Sequence, residues 1–367
     1  MKLILSVLFS AFSFFLTPVL ACTDIQLSAR DGTILVSRSM EFGLDLQSNL
    51  RTSPRGRSFS DTTPHEKAAL SWKSKYGYLY LDALGMDAAV DGINEQGLSI
   101  EALYLPGETG YQAVPINHDK HALAYYRLGD WVLGNFKTVE EVRNALFHIY
   151  VYAKAIPKLE NIVFPLHFSI FDASGKGIVV EYVAGKINIY DNTVHILTNV
   201  PQFPWHIANL RNYVHLSPYY QDSVKVGNVT FTATGQGAAA LGLPGDYSPP
   251  ARFVKMSFLS TTARPTNNAK DLVNLAQHIL NTVDIPRGAI RPQQDDKSPM
   301  PDDLTQWVIF KDLTHKILYY RFYDDLTLRS VDMAKLDFSE KAIPLKMPIK
   351  APPLVLDMTE IFIKQKT

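Results

Sequence analysis

Cysteine occurs once in the 367 residues, at Cys22. No intrachain disulfide can form, and none of the multi-cysteine zinc spacings is present. Charge of one sign is not in excess either, since 36 Lys and Arg stand against 36 Asp and Glu. Without a basic surplus nothing points to nucleic acid or to an anionic membrane surface as partner. The histidines fall into no H-E-x-x-H spacing, and the glycine-rich run GQGAAALGLPGD lacks the Gly-Lys-Ser/Thr that grips a phosphate. Neither a metal nor a cofactor is expected. Long apolar runs are missing after the first twenty residues: no later stretch approaches the roughly 18 consecutive apolar residues of a membrane helix.

The apolar run that is there stands at the start. Met1-Lys2 gives a minimal positive head, Leu3 to Leu16 is almost wholly apolar, Thr17-Pro18 breaks a helix, and Val19-Leu20-Ala21 offers a cleavage site. Residues 1–21 therefore read as a secretory signal. The mature chain, 22–367, is expected in the periplasm or outside the cell, as one domain without a membrane segment. Cleavage after Ala21 makes the lone cysteine the first residue of that chain, and an unpaired cysteine in an exported protein suggests a reactive thiol or an intermolecular bond. A thiol becomes a strong nucleophile as the thiolate and so needs a base. A chain-terminal cysteine carries one: a free α-amino group titrates at about 7.7–8. It can take the thiol proton and return it to a leaving amine. The rival reading takes VLAC as an imperfect lipobox, making Cys22 the lipid anchor of a binding or structural lipoprotein. Bulky Leu20 and the absence of a Ser/Gly-rich tether argue against it.

Beyond Cys22 the chain alternates like a β protein. TDIQLSARDGTILVSRS reads as a hairpin around Asp31-Gly32, and LDALGMDAAVDGINEQGLSIEALYLPG as another around Asn94 to Gly97. Two meanders follow, HFSIFDASGKGIVVEYVAGKINIYDNTVHILTN and LTQWVIFKDLTHKILYYRFYDDLTLRSVDM. Two stretches read as helical: NHDKHALAYYRLGDWVLGNFKTVEEVRNALFHIYVYA, with a capping box at Thr138 and Glu141, and TNNAKDLVNLAQHILNTVDI. Strand runs separated from helix runs give an α+β class with antiparallel sheets. The proline-rich IPLKMPIKAPPL is expected to wrap the surface. If Asp31-Gly32 is a two-residue turn, Cys22 stands opposite Glu41 and Arg38 opposite Ile25. A carboxylate is then at hand for the terminal ammonium, and a guanidinium for the thiol or a substrate oxygen.

CTDIQLSARDGTILVSRSMEF resembles the start of the choloylglycine hydrolase family, the bile salt hydrolases and penicillin V acylases. The similarity continues through DGINEQGLSIEALYLPG, VHILTNVPQFPWHIANLRNY, TATGQGAAALGLPGDYSPPARF and DLTQWVIF. The resemblance implies an N-terminal-nucleophile hydrolase of linear amides, built as a four-layer αββα sandwich of two antiparallel sheets. It implies Cys22 as nucleophile, Arg38 beside the thiol, Asn199 in the oxyanion hole and Arg252 as a second active-site arginine. Glu41 stands where the family usually has aspartate. Tyr104 stands where bile salt hydrolases typically have asparagine and penicillin V acylases often tyrosine, and its backbone N–H can serve an oxyanion hole. Met40, Phe42 and Tyr104 flank these positions, so the expected substrate is a small-molecule amide with a bulky apolar acyl group: a conjugated bile acid, phenoxyacetyl penicillin, or a fatty N-acyl amide such as an acyl-homoserine lactone. Gln202 to Val226 resembles the extension that joins some relatives into homotetramers.

Overall fold

The computed structural model describes residues 21–291 and 301–365, so the expected signal lies outside the described residues except for Ala21. Two antiparallel sheets carry the fold. Sheet I contains β1 (Cys22–Ser28), β2 (Ile34–Phe42), β10 (Ile196–Leu197), β11 (Leu304–Asp312), β12 (Ile317–Phe322) and β13 (Asp325–Asp332), in the order β10-β1-β2-β11-β12-β13. Sheet II contains β3 (Asn49–Ser53), β4 (Tyr78–Ala83), β5 (Met86–Asn94), β6 (Ser99–Tyr104), β7 (Leu166–Phe171), β8 (Gly177–Val183), β9 (Lys186–Asp191) and β14 (Lys346–Pro348), in the order β9-β8-β7-β6-β5-β4-β3-β14. The proline-rich tail thus adds an edge strand rather than only wrapping the surface.

Helices cover the outer faces. α1 (Leu128–Asn135) and α2 (Val139–Leu146) lie on sheet II, where Leu128, Val132 and Val142 join Tyr80, Ile100 and Phe168 in one apolar layer. α4 (Pro249–Thr262) and α5 (Ala269–Asn281) lie on sheet I, after the short α3 (Phe203–Asn209). Phe253, Met256, Leu272 and Ile279 pack there with Ile25, Leu35 and Phe310. The result is the αββα sandwich. Every residue of β2 is buried because helices cover one face of it and sheet II the other.

The long stretch read as one helical region is broken. Thr138 does cap α2, accepting from Glu141 N at 3.2 Å, but Ala122–Ala124 forms a short strand parallel to Tyr150–Tyr152. Burial of Leu123 and Val151 in the core outweighs the helical preference of Ala-Leu-Ala. α4 was not anticipated, although Ser248 before Pro249-Pro250 is a helix-start signal: Ser248 Oγ accepts from Ala251 N at 3.4 Å.

Candidate active site

The β1–β2 hairpin places the thiol, and its register differs from the two-residue expectation. Its loop is three residues long, Arg30-Asp31-Gly32. Ala29 N donates to Thr33 O at 3.0 Å, and Gly32 N donates to Ala29 O at 3.1 Å. Gly32 adopts φ +89°, a left-handed conformation that glycine takes without steric cost. The extra residue shifts the pairing by one, so Cys22 stands opposite Met40 and Asp24 opposite Arg38. A one-residue slip moves side chains to the other face. Cys22, Asp24, Arg38 and Met40 therefore point between the sheets, whereas Thr23, Ser39 and Glu41 point toward α4 and α5.

The expectation that Glu41 faces Cys22 is corrected accordingly. Glu41 Oε1 accepts from Thr305 Oγ1 at 3.0 Å, and its Oε2 has no hydrogen-bond partner among the described residues. Burial pushes its carboxyl up to about 7, against the pull of Arg252. The Cys22 N–H is instead taken by Asn199 Oδ1 at 2.8 Å.

Around the sulfur, Arg38 Nη2 lies 3.4 Å from Cys22 Sγ and donates to Ala102 O at 2.6 Å, while Nη1 donates to Val90 O and Asp91 Oδ2, both at 3.2 Å. Met40 Sδ lies 3.7 Å from Sγ. Burial opposes the Arg38 charge, but Cys22 and Asp91 beside it hold its pKa above the usual arginine value. The guanidinium has room because β5 and β6 pair only from Asp91–Glu101 to Ile93–Ser99 and then part. Arg38 sits in the cleft between them, joined to a carbonyl on each side.

Asn199 and Arg252 come to the same point from other elements. Asn199 follows β10, and its Nδ2 donates to Tyr104 O at 2.8 Å. Arg252, on the first turn of α4, is fully buried rather than a surface charge. Its Nη1 donates to Cys22 O at 2.5 Å and to Thr23 Oγ1 at 2.7 Å, and its Nη2 to Asn199 Oδ1 at 2.7 Å. Beneath them His206 Nε2 donates to Asn199 O at 3.0 Å, and burial lowers its pKa to about 4, which keeps the ring neutral. His167 Nε2 donates to Thr198 O at 3.0 Å. The backbone bearing Asn199 is thus held at two successive carbonyls.

Cys22, Arg38, Met40, Phe42 and Tyr104 line one cavity of about 800 Å³, its open mouth included. Its other walls are almost wholly apolar: Leu46, Leu84, Met86, Val90, Ile156, Phe164 and Phe168 among them. Tyr125 and Tyr126 lie there too: Tyr125 Oη accepts from Phe164 N at 2.9 Å, and Tyr126 Oη donates to Asp61 Oδ2 at 2.7 Å. All the positions singled out from sequence thus converge, with Glu41 behind the thiol rather than facing it. Asp24, Asp91, Glu101 and Lys311 were missed. Their signal was a charged residue at an inward position of an apolar alternation, as in WVIFKDL.

The family model described as "Linear amide C-N hydrolases, choloylglycine hydrolase family" matches residues 22–349. The bile salt hydrolase/transferase of Clostridium perfringens is 35% identical over 319 residues, 86% of this chain and 93% of that one. The penicillin V acylase of Pectobacterium atrosepticum is 27% identical over 328 residues, 84% of this chain and 79% of that one. A crystal structure of a variant conjugated bile acid hydrolase from Clostridium perfringens superposes with a TM-score of 0.79 at 31% identity, covering 92% of this chain and all of that one.

Proposed function

Because the chain belongs to the choloylglycine hydrolase family and is a linear amide C–N hydrolase, we propose that it works as an exported N-terminal-nucleophile enzyme with Cys22 as its nucleophile. The observation that carries this reading is the position of the chain's single thiol at an apolar cavity, 3.4 Å from a buried guanidinium. Removal of residues 1–21 frees the Cys22 amine in the periplasm or outside the cell. The amine accepts the thiol proton, and Arg38 stabilises the thiolate. The sulfur adds to the amide carbon. Asn199 Nδ2 keeps one hydrogen beyond the one given to Tyr104 O, and with the Tyr104 N–H it receives the oxyanion. The protonated amine gives its proton to the leaving nitrogen as the C–N bond breaks. It then activates water against the thioester, which releases the carboxylic acid and restores the thiol.

The acyl group enters the apolar cavity. A polyhydroxylated steroid would bring several hydroxyls to walls that offer few partners, chiefly the O–H groups of Tyr104 and Tyr125, and each one left unpaired costs about 1–3 kcal/mol. A phenoxyacetyl or fatty acyl group carries no such burden. The lipoprotein alternative requires Sγ to reach a bilayer, whereas Cys22 is 3% exposed and lies in a paired strand.

The test is hydrolysis of phenoxymethylpenicillin, N-dodecanoyl-homoserine lactone and glycocholate by the processed protein and its Cys22→Ser variant. Turnover of the first two ahead of glycocholate, reduced to near background in the folded variant, is expected. Undiminished hydrolysis by Cys22→Ser would remove the thiol from the mechanism.

A further inference from the structure

Directly behind the nucleophile, the layer between the sheets brings together Asp24, Arg38, Asp91, Glu101 and Lys311, all with 0% exposure. Asp24, Arg38 and Lys311 come from sheet I, and Asp91 and Glu101 are direct partners in sheet II. Lys311 Nζ donates to Asp91 Oδ1 at 2.5 Å and to Glu101 Oε1. The other oxygen of Asp91 accepts from Arg38 Nη1 at 3.2 Å. Asp91 is therefore shared by two cations, and Arg38 is shared by Asp91 and the Cys22 sulfur. Asp24 stands opposite Arg38 in the β1–β2 pairing, and neither of its oxygens has a hydrogen-bond partner among the described residues. The groups around Asp24 are Arg38 from β2, Lys311 from β11, Asp91 from β5, Glu101 from β6, the Ser169 hydroxyl from β7, and Cys22 two residues away on its own strand.

Such a cluster is a poor device for stability. Replacing buried ion pairs by apolar groups of similar volume is often neutral or stabilising. Its geometry has one outlet toward chemistry, the contact between Arg38 Nη2 and Cys22 Sγ. Two cations stand against three carboxylates, so one proton held by Asp24 or Glu101 brings the sum to zero. Burial pushes both carboxyls up, more than Lys311 pulls them down. Lys311 then matters to Arg38 in a definite way. While it neutralises one side of Asp91 and one oxygen of Glu101, the guanidinium keeps positive charge to offer the sulfur. Without it, two uncompensated carboxylates draw on the same guanidinium.

We propose that Lys311 is a positioning residue for the reaction: held between Asp91 and Glu101, it frees the Arg38 guanidinium to stabilise the Cys22 thiolate, while Asp24 carries the proton that keeps the cluster neutral. This rests on Cys22 as the nucleophile. Deprotonation of Asp24 adds negative charge beside Arg38, so it weakens thiolate stabilisation as pH rises.

Lys311→Met and the charge-balanced double variant Lys311→Met with Glu101→Gln test it. The readouts are iodoacetamide alkylation of Cys22, which needs no knowledge of the substrate, and kcat and KM for phenoxymethylpenicillin. Lys311→Met is expected to lower both the alkylation rate and kcat at least tenfold, with KM within twofold of wild type. The double variant, which loses the same lysine packing, is expected to recover to within about threefold of wild type. A folded Lys311→Met with wild-type alkylation and kcat overturns the proposal, as does a double variant as slow as the single one. If Lys311→Met does not fold, the alkylation rate of the double variant decides by the same criterion. Asp24→Asn gives a second readout: the alkaline fall of kcat should move to higher pH, and a profile superimposable on wild type contradicts the role given to Asp24. Failure of the underlying reading looks different, because Cys22→Ser would then hydrolyse the amide as fast as wild type.

Discussion

Glu41 shows how one residue's surroundings set a measurable property of the whole protein. Its carboxyl lies between sheet I and the helices, bonded through one oxygen only. Its folded pKa is raised from 4.5 to about 7, chiefly by burial. Between those values the folded chain holds a proton that the unfolded chain has released, so this group makes stability fall as pH rises through the window. The full span corresponds to roughly 3 kcal/mol, at about 1.4 kcal/mol per pKa unit. Glu41→Gln, neutral at every pH, should flatten this part of the stability profile. Urea unfolding from pH 4.5 to 7.5 checks it, and an unchanged slope would show that Glu41 is ionised throughout. The same residue marks the limit of what the sequence told. That Cys22 and Arg38 come together on one hairpin was legible from the sequence, but their register was not: Met40, not Glu41, stands opposite Cys22, and Asp24, not Ile25, opposite Arg38. The side that Glu41 takes was not legible either, because it depends on whether the hairpin loop has two residues or three, and Asp-Gly suits both.

At the scale of elements, the two helices on sheet II separate stability from function. Thr138 caps α2 on the outer layer, so Thr138→Ala should cost about 1 kcal/mol in stability. Amide hydrolysis should be unchanged, which thermal unfolding and a rate assay together decide. Gly129 in α1 is different. A Cβ there would lie 2.1 Å from Ala89 O of β5, and Gly129 and Ala89 both line the cavity beside Cys22. Gly129→Ala should therefore push α1 away from β5, lowering both the melting temperature and the rate with the bulkiest acyl groups. A variant with wild-type melting and acyl preference would contradict the close packing described here. The helices that were hardest to read, α3 and α4, are those whose roles depend on distant partners. Arg252 in SPPARF has no local reason to be buried. Its reason is Cys22, Thr23 and Asn199, brought together where the neighbouring strands β1 and β10 pair at one edge of sheet I.

The whole molecule is two sheets whose facing layer carries both the reactive site and the charge behind it. Alternation and turns gave the strands, and the order of strand and helix runs gave the α+β class. The stacking of sheets I and II came only through the family resemblance, since no local pattern records which faces meet. One surface feature also belongs to this scale. The hairpin of Val224–Val226 and Val229–Phe231 is exposed along its whole length, with Tyr219, Tyr220 and Leu241 exposed nearby. Exposed apolar surface of this extent marks an interaction site, and we propose that it joins copies of the chain into a homotetramer. Phe231→Glu should then lower the mass seen by light scattering, and a monomeric wild-type protein would contradict the assembly.

The central claim is that this amide hydrolase acts through a cysteine freed at the start of its mature chain. Its most direct test is the mass of the active protein, exported by its own signal and quenched in acid during turnover of phenoxymethylpenicillin. The account predicts a chain of residues 22–367 with the phenoxyacetyl increment on the peptide that begins at Cys22. Full activity from a chain that keeps residues before Cys22, or from one whose Cys22 sulfur carries a lipid, would contradict it.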